Sequence, residues 1–226
     1  MAEYYDIYPH MQGSLPCVID VETTDKEPLT RTPIIDEKTG DFRSWEYSGG
    51  EIIQIAILPL DMNFEPLGRM RPFYTNVRPQ HPHLATEEAM RVHKVSLSEL
   101  EQMAPPVEKV IEMLQTWFES LDLPVDRRII PVAHNWTFEK SFLTTMLGMA
   151  EFERIFHFHA RDTMQMALYL KDKAAFTCRS QPFGQVGLRS LCEHFSITLD
   201  NHHDALADCL AQAALYRHLL KLELAL

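Results

Sequence analysis

Two acidic residues separated by a single position, Asp20 and Glu22, close a short apolar run, and far downstream His203 precedes Asp208 by five positions. Alternate side chains of a strand point the same way, so Asp20 and Glu22 share one side. Two carboxylates side by side can hold a divalent cation; the plainer alternative is a solvated acidic pair at a strand end. Histidine titrates near neutrality and can take or give a proton at cellular pH. Placed just before a helix, it can face the same cleft as an aspartate in the second turn of that helix. The polar run Asp200-Asn201-His202-His203-Asp204 also permits a capping or solvated histidine. His202 competes for the assignment, and the spacing to Asp208 selects His203.

The elements that must position these groups follow from the pattern of apolar residues. PCVIDV at 16–21, IIQIAILPL at 52–60, MRPFYTNV at 70–77 and RIIPVAHN at 128–135 read as strands, and RIFHFHARDT at 154–163 alternates like a fifth before passing into a helix that ends near 170. Helical patterning begins at Thr86. Between 106 and 121 the apolar residues Val107, Val110, Ile111, Leu114, Trp117, Phe118 and Leu121 fall on one helix face. FEKSFLTTMLGM is a helix ended near Gly148, with Phe138 and Phe142 as its core residues, and two more helices, GLRSLCEHF and DALADCLAQAALYRHLLKLEL, finish the chain after a loop at 171–187. The polar stretch 25–51, with the turn pairs Thr39-Gly40 and Gly49-Gly50, exceeds what a hairpin connection needs and reads as an insertion. Strands first, then helices alternating with strands, predict an α/β layer fold on a mixed sheet.

Three motifs in order give a further signal. Asp20-Val21-Glu22-Thr23-Thr24, His134-Asn135-Trp136-Thr137-Phe138-Glu139 and His203-Asp204-Ala205-Leu206-Ala207-Asp208 resemble the motifs of the DEDDh exonucleases, the family that includes the proofreading subunit of bacterial DNA polymerase III and oligoribonuclease. The resemblance runs from about residue 16 to 220; Ala89-Met90-Arg91-Val92-His93 and Asp162-Thr163 agree with it. It implies a ribonuclease-H-like fold, a mixed five-stranded sheet flanked by helices. It also implies 3′→5′ exonucleolytic hydrolysis of DNA or RNA with two Mg²⁺ or Mn²⁺ ions, releasing nucleoside monophosphates. Carried over residue by residue, Asp20 bridges the ions, Glu22 and Asp208 complete one site, Glu139 holds the second ion, and His203 is the general base. Thr23 and Thr24 then contact the terminal nucleotide, and His134 and Asn135 order the cleft. Glu139 departs from the family, which places aspartate there; a displacement near 1 Å can cost on the order of 10²-fold in rate. The alternative is a catalytically weakened module of the same fold that binds nucleic acid or protein.

Composition narrows the field. At 226 residues, with 46% hydrophobic and 23% charged residues, the chain is that of one soluble domain, 1–226, with the insertion at 25–51. MAEYYDIYPHMQGSLP has no basic start followed by an apolar run, and no window reaches roughly 18 apolar residues, so the expectation is a cytoplasmic protein without a membrane partner. Cys17, Cys178, Cys192 and Cys209 lack CxxC spacing and read as small hydrophobes rather than a zinc site or disulfides. The net charge of −11 argues against gripping long duplexes and is compatible with holding single strands or 3′ ends, because bound cations offset acidic ligands. Whether the chain forms a homodimer stays open.

Overall fold

A computed structural model describes residues 14–93 and 95–222; the N-terminal segment 1–13 read above lies outside them. In chain order the strands are β1 (Leu15–Thr23), β2 (Thr30–Ile35), β3 (Phe42–Ser48), β4 (Ile52–Pro59), β5 (Phe73–Asn76), β6 (Ile129–Ala133) and β7 (Arg161–Asp162). The helices are α1 (Glu87–His93), α2 (Leu97–Met103), α3 (Val107–Ser120), α4 (Trp136–Leu147), α5 (Met149–Ile155), α6 (Thr163–Phe176), α7 (Leu188–His194) and α8 (Ala205–Lys221).

β1 is the centre of a five-stranded mixed sheet of order β5-β4-β1-β6-β7, flanked by helices, which is the ribonuclease-H-like arrangement. It pairs antiparallel with β4 and parallel with β6, and β6 pairs parallel with β7. Both β1 and β4 are buried along their whole length, which explains why they read as unbroken apolar runs rather than alternating ones. The odd-numbered residues Leu15, Cys17, Ile19 and Val21 pack with Val110 and Leu114 of α3 and Phe142 and Leu143 of α4. On the opposite face Val18 packs with Ala56, Val132 and α8 residues Ala205, Cys209, Ala213 and Tyr216. Asp20 and Glu22 continue the Val18 row, so period-two alternation directs them to the α8 side.

The insertion between Asp25 and Glu51 forms the separate ribbon β2–β3. At its base Gly49 adopts a φ of +86°, and a Cβ on Gly50 would lie 2.4 Å from the Asp25 backbone nitrogen, so the two ends of the ribbon meet where no side chain fits.

Two expectations need correction. Residues 154–163 are not a continuous strand: α5 ends at Ile155, Phe156 makes an isolated parallel bridge to Ile129 of β6, and only Arg161–Asp162 forms a strand. Phe152, Ile155 and Phe156 are buried together at helical spacing, so a period near 3.6 prevails over the apparent alternation. The helix expected to end near 170 runs to Phe176, because Ala167, Leu170 and Ala174 continue its buried face. Cys17, Cys192 and Cys209 are buried, whereas Cys178 is exposed.

The short β7 delivers one residue that starts two helices. Asp162 Oδ1 accepts from the backbone nitrogens of Met164 and Gln165 in α6 and from that of Asn135, while Oδ2 accepts from that of Trp136 at the start of α4. Each set satisfies donors that a helix start leaves unpaired. Asp162→Ala is therefore expected to cost about 1–3 kcal/mol, near 1 kcal/mol per cap with the upper end for two. Thermal unfolding of the variant should show a midpoint lower by about 3–10 °C.

Candidate active site

Parallel pairing of β1, β6 and β7 puts their C-terminal ends at one edge of the sheet, and the candidate residues gather there. Glu22 comes from the end of β1, Glu139 from the first turn of α4 directly after β6, and Asp208 from the first turn of α8. Asp20, Glu22, Glu139 and Asp208 are all buried, between 4% and 9% exposed. Carboxylate oxygens of Asp20, Glu22 and Asp208 lie within 4.8 Å of one another. Glu139 is outside that trio, yet it is close enough to Asp20 and Glu22 for mutual repulsion.

Helix α8 reaches the sheet because the residues beneath it are small. Ala205, Cys209 and Ala213 recur every four positions and rest on the strands, with Cys209 Sγ 3.7 Å from the carbonyls of Val18 and Ala56. This approach lets Gln212, one turn beyond Asp208, donate from Nε2 to Asp20 Oδ1 at 2.6 Å. The start of α8 is fixed three times. Asp204 caps the nitrogens of Leu206 and Ala207, Gln54 Oε1 accepts from the Ala205 nitrogen at 2.8 Å, and the Tyr74 hydroxyl donates to Asp204 Oδ2 at 2.5 Å.

His203, immediately before that cap, has a φ of +73°, a left-handed conformation that aims it away from the helical course of α8. Its ring nitrogens lie within the same 4.8 Å spacing of Glu22 and His93 on one side and of His202 and Asp208 on the other. His202 stacks on His203 with ring centroids 3.7 Å apart and places Nδ1 3.1 Å from Asp208 Oδ1. Both neighbouring histidines thus flank Asp208, His202 through its ring and His203 also through its backbone nitrogen, 3.4 Å from Asp208 Oδ2, while His203 alone also reaches across the cleft toward Glu22.

The electrostatics are those of an uncompensated cluster. Burial first, then repulsion from Glu22, Asp208 and Glu139, holds the Asp20 carboxyl well above the ordinary carboxylate range, with the Gln212 hydrogen bond opposing. Burial likewise raises Glu139, and raises Asp208 against the pull of His202. Glu139 Oε2 is buried and has no hydrogen-bond partner among the described residues. Four acids with one orphaned oxygen and hard donors throughout fit divalent cations of the Mg²⁺ or Mn²⁺ kind.

The remaining expected contacts sit in the walls. Thr23 Oγ1 donates to the Asp25 carbonyl at 2.6 Å, and Thr24 Oγ1 accepts from the Glu51 nitrogen at 2.9 Å, so both hydroxyls tie down the base of the ribbon. His134 Nδ1 donates to Thr163 Oγ1 at 2.8 Å, whose proton goes to the Ala133 carbonyl; burial lowers the His134 pKa to about 4 and keeps the ring neutral near neutral pH. Asn135, at φ +78°, makes the turn from β6 into α4. Phe138 is half-buried, whereas Phe142 is buried, and it lines a cavity of about 180 Å³ with Thr23, Thr86, Val92 and His93. Sequence reasoning missed Gln212, Gln54 and the contacts of His93. Gln212 carried a signal in retrospect, since it follows Asp208 at one helical turn.

Comparison with known proteins places this arrangement. The family model Exonuclease (RNase_T) matches residues 17–216. Similar folds include E. coli exonuclease I in complex with a dT13 oligonucleotide, at a TM-score of 0.60 and 16% identity over 92% of this chain and 41% of that one. An exonuclease I from Methylocaldum szegediense gives 0.64 and 19% over 90% and 40%. A 3′-exonuclease whose structure concerns 3′-end specific recognition of a histone mRNA stem-loop gives 0.59 and 13% over 92% and 64%. The chain thus spans between 40% and 64% of the length of these proteins. No curated protein sequence matches it.

The raised carboxyls have a consequence for stability. A carboxyl that binds its proton more tightly folded than unfolded favours the native state when protonated, and that contribution is lost as pH rises from about 4 through the folded pKa. Asp20→Asn keeps an acceptor for Gln212 and removes one charge. With metals chelated, the variant should melt at least about 3 °C above the parent chain at neutral pH, the shift that about 1 kcal/mol gives at this length. The difference should vanish near pH 4 and shrink when Mg²⁺ is added.

Proposed function

The chain belongs to the Exonuclease (RNase_T) family, and from that premise we propose that it is a DEDDh-type 3′→5′ exonuclease acting on single-stranded ends of DNA or RNA. The observation that carries this reading is the buried convergence of Asp20, Glu22 and Asp208 beside Glu139 and His203. Asp20, Glu22 and Asp208 would hold one divalent ion, and Asp20 with Glu139 a second. Such ions, Mg²⁺ or Mn²⁺, neutralise charge on the attacking and leaving oxygens of phosphodiester hydrolysis.

The chain's own groups do the rest. His203 takes the proton from the attacking water as general base, and its left-handed backbone and the Asp204 cap keep it at the mouth of the cleft. Gln212 holds one oxygen of Asp20, leaving the other toward the ions, and His202 orients Asp208. The cavity beside Thr23, lined by Phe138 and Val92, takes the terminal base by apolar contact, and the ion pair of Lys26 with Glu88, at 2.8 Å, closes its rim. Acidic overall charge suits an enzyme that holds a few terminal nucleotides rather than a long duplex. A cytoplasmic location belongs to the same proposal. Among the described residues no helix is long and apolar enough to cross a membrane.

The weakened binding module is the less favoured reading, since all four carboxylates and the histidine are present. Incubated with Mg²⁺ or Mn²⁺, an end-labelled single strand should shorten from its 3′ end with release of nucleoside monophosphates. Asp20→Ala should slow this by at least about 10²-fold, and Glu139→Asp, which withdraws the carboxylate by one methylene, by on the order of 10²-fold. A panel of DNA, RNA and dinucleotides with no shortening at all would exclude the enzymatic reading.

A further inference from the structure

His93 stands at the edge of the carboxylate cluster, and the proposed reaction gives it no role. It ends α1, its side chain is only 8% exposed, and it lies between the last residues of β1 and His203. Nε2 is 2.7 Å from the Thr23 carbonyl oxygen. A carbonyl can only accept, so Nε2 carries the proton. In the neutral ring Nδ1 is then a bare acceptor. That atom is buried, and its one close polar neighbour among the described residues is Glu22 Oε2, at 2.5 Å. A proton on Nδ1 makes this contact an ion pair; without one, two lone pairs at that distance repel unless a metal cation lies between them. His203 brings a third ligand atom, all three within 4.8 Å of one another, with the two imidazole rings 6.3 Å apart and nearly perpendicular.

We propose that Glu22, His93 and His203 form a second kind of metal site, selective for zinc-like transition ions and inhibitory to the exonuclease. Two imidazoles and one carboxylate are a donor set that prefers Zn²⁺ over Mg²⁺, whereas the all-oxygen cluster of Asp20, Glu22 and Asp208 suits Mg²⁺. Ligand atoms about 2.1 Å from a tetrahedral ion stand about 3.4 Å apart. Capture therefore asks the Glu22 carboxylate to swing from Nδ1 by roughly 1 Å. An ion held there takes Glu22 away from the carboxylate cluster and ties up the lone pair of His203 that would accept the proton of water. This consequence for activity rests on the function proposed above; the site itself does not.

Zinc binding to the full chain, measured by calorimetry in excess Mg²⁺ and without nucleic acid, tests the site. One Zn²⁺ should bind, and Co²⁺ in its place should give the visible absorption of a nitrogen-ligated tetrahedral ion. His93→Gln should weaken zinc binding by at least about 10-fold and remove the absorption. Because His93→Gln also alters the contact with Thr23, His203→Asn serves as a second variant, asparagine being at ease with a positive φ. Unchanged zinc affinity in both folded variants, or no zinc uptake by the parent chain, would overturn the inference and leave a proton as the cation between His93 and Glu22. With substrate, zinc should arrest Mg²⁺-dependent shortening in the parent chain and do so at about 10-fold higher concentration in His93→Gln. A chain that binds zinc as described but never shortens nucleic acid sinks the proposed function alone, and the converse result sinks only this site.

Discussion

Like charges buried together are the constraint around which the molecule is arranged. Asp20, Glu22, Glu139 and Asp208 repel one another in a place from which water is largely removed, and among the described residues only histidines, His202 beside Asp208 and His93 beside Glu22, stand against them. Burial of unpaired charge is among the costliest things a fold can do. The surrounding structure therefore has to hold these groups against their own preference to separate, and it does so by covalent and hydrogen-bonded geometry. β1 fixes two of them on one strand, the β6–α4 turn fixes the third, and the triply anchored start of α8 fixes the fourth.

That division explains what could be read from the chain. Asp20 and Glu22 were legible because strand alternation is local, and His203 and Asp208 because helical spacing is local. The strands at the centre of the sheet were legible as four apolar runs, whereas their order, β5-β4-β1-β6-β7, was not. Gln212 and His93 were not legible as site residues, since their importance lies in whom they touch across the fold, Asp20 in one case and Thr23 with Glu22 in the other. Phe138 packs against the core beside Phe142, as its helix pattern implies, and its second role as a cavity wall was not legible for a related reason. Its helix looks amphipathic, but the open cavity beside Thr23 exists only once α1 has docked.

The departures at 154–163 and at the end of α6 each follow from which residues the fold buries. Phe156, Phe158 and Ala160 alternate, but Phe158 is exposed, whereas Phe152, Ile155 and Phe156 fall at helical spacing and are buried, with the Trp136 ring stacked on Phe152 at a centroid distance of 6.1 Å. What remained of the fifth strand is two residues long. Its purpose is legible only in space, where Asp162 starts two helices at once.

The thin interface under α8 has an implication for how such a site can be lost or tuned. A helix seated on alanine and cysteine has no compressible layer between itself and the strands. Any thickening there, even by an apolar branch far from every charged atom, would lift Asp208 and Gln212 together and open the gap to Asp20. The spacing of the metal ligands is in that sense gauged by the bulk of Ala205, Cys209 and Ala213, so the chemistry can be dialled from beneath the floor by residues that never meet a nucleotide.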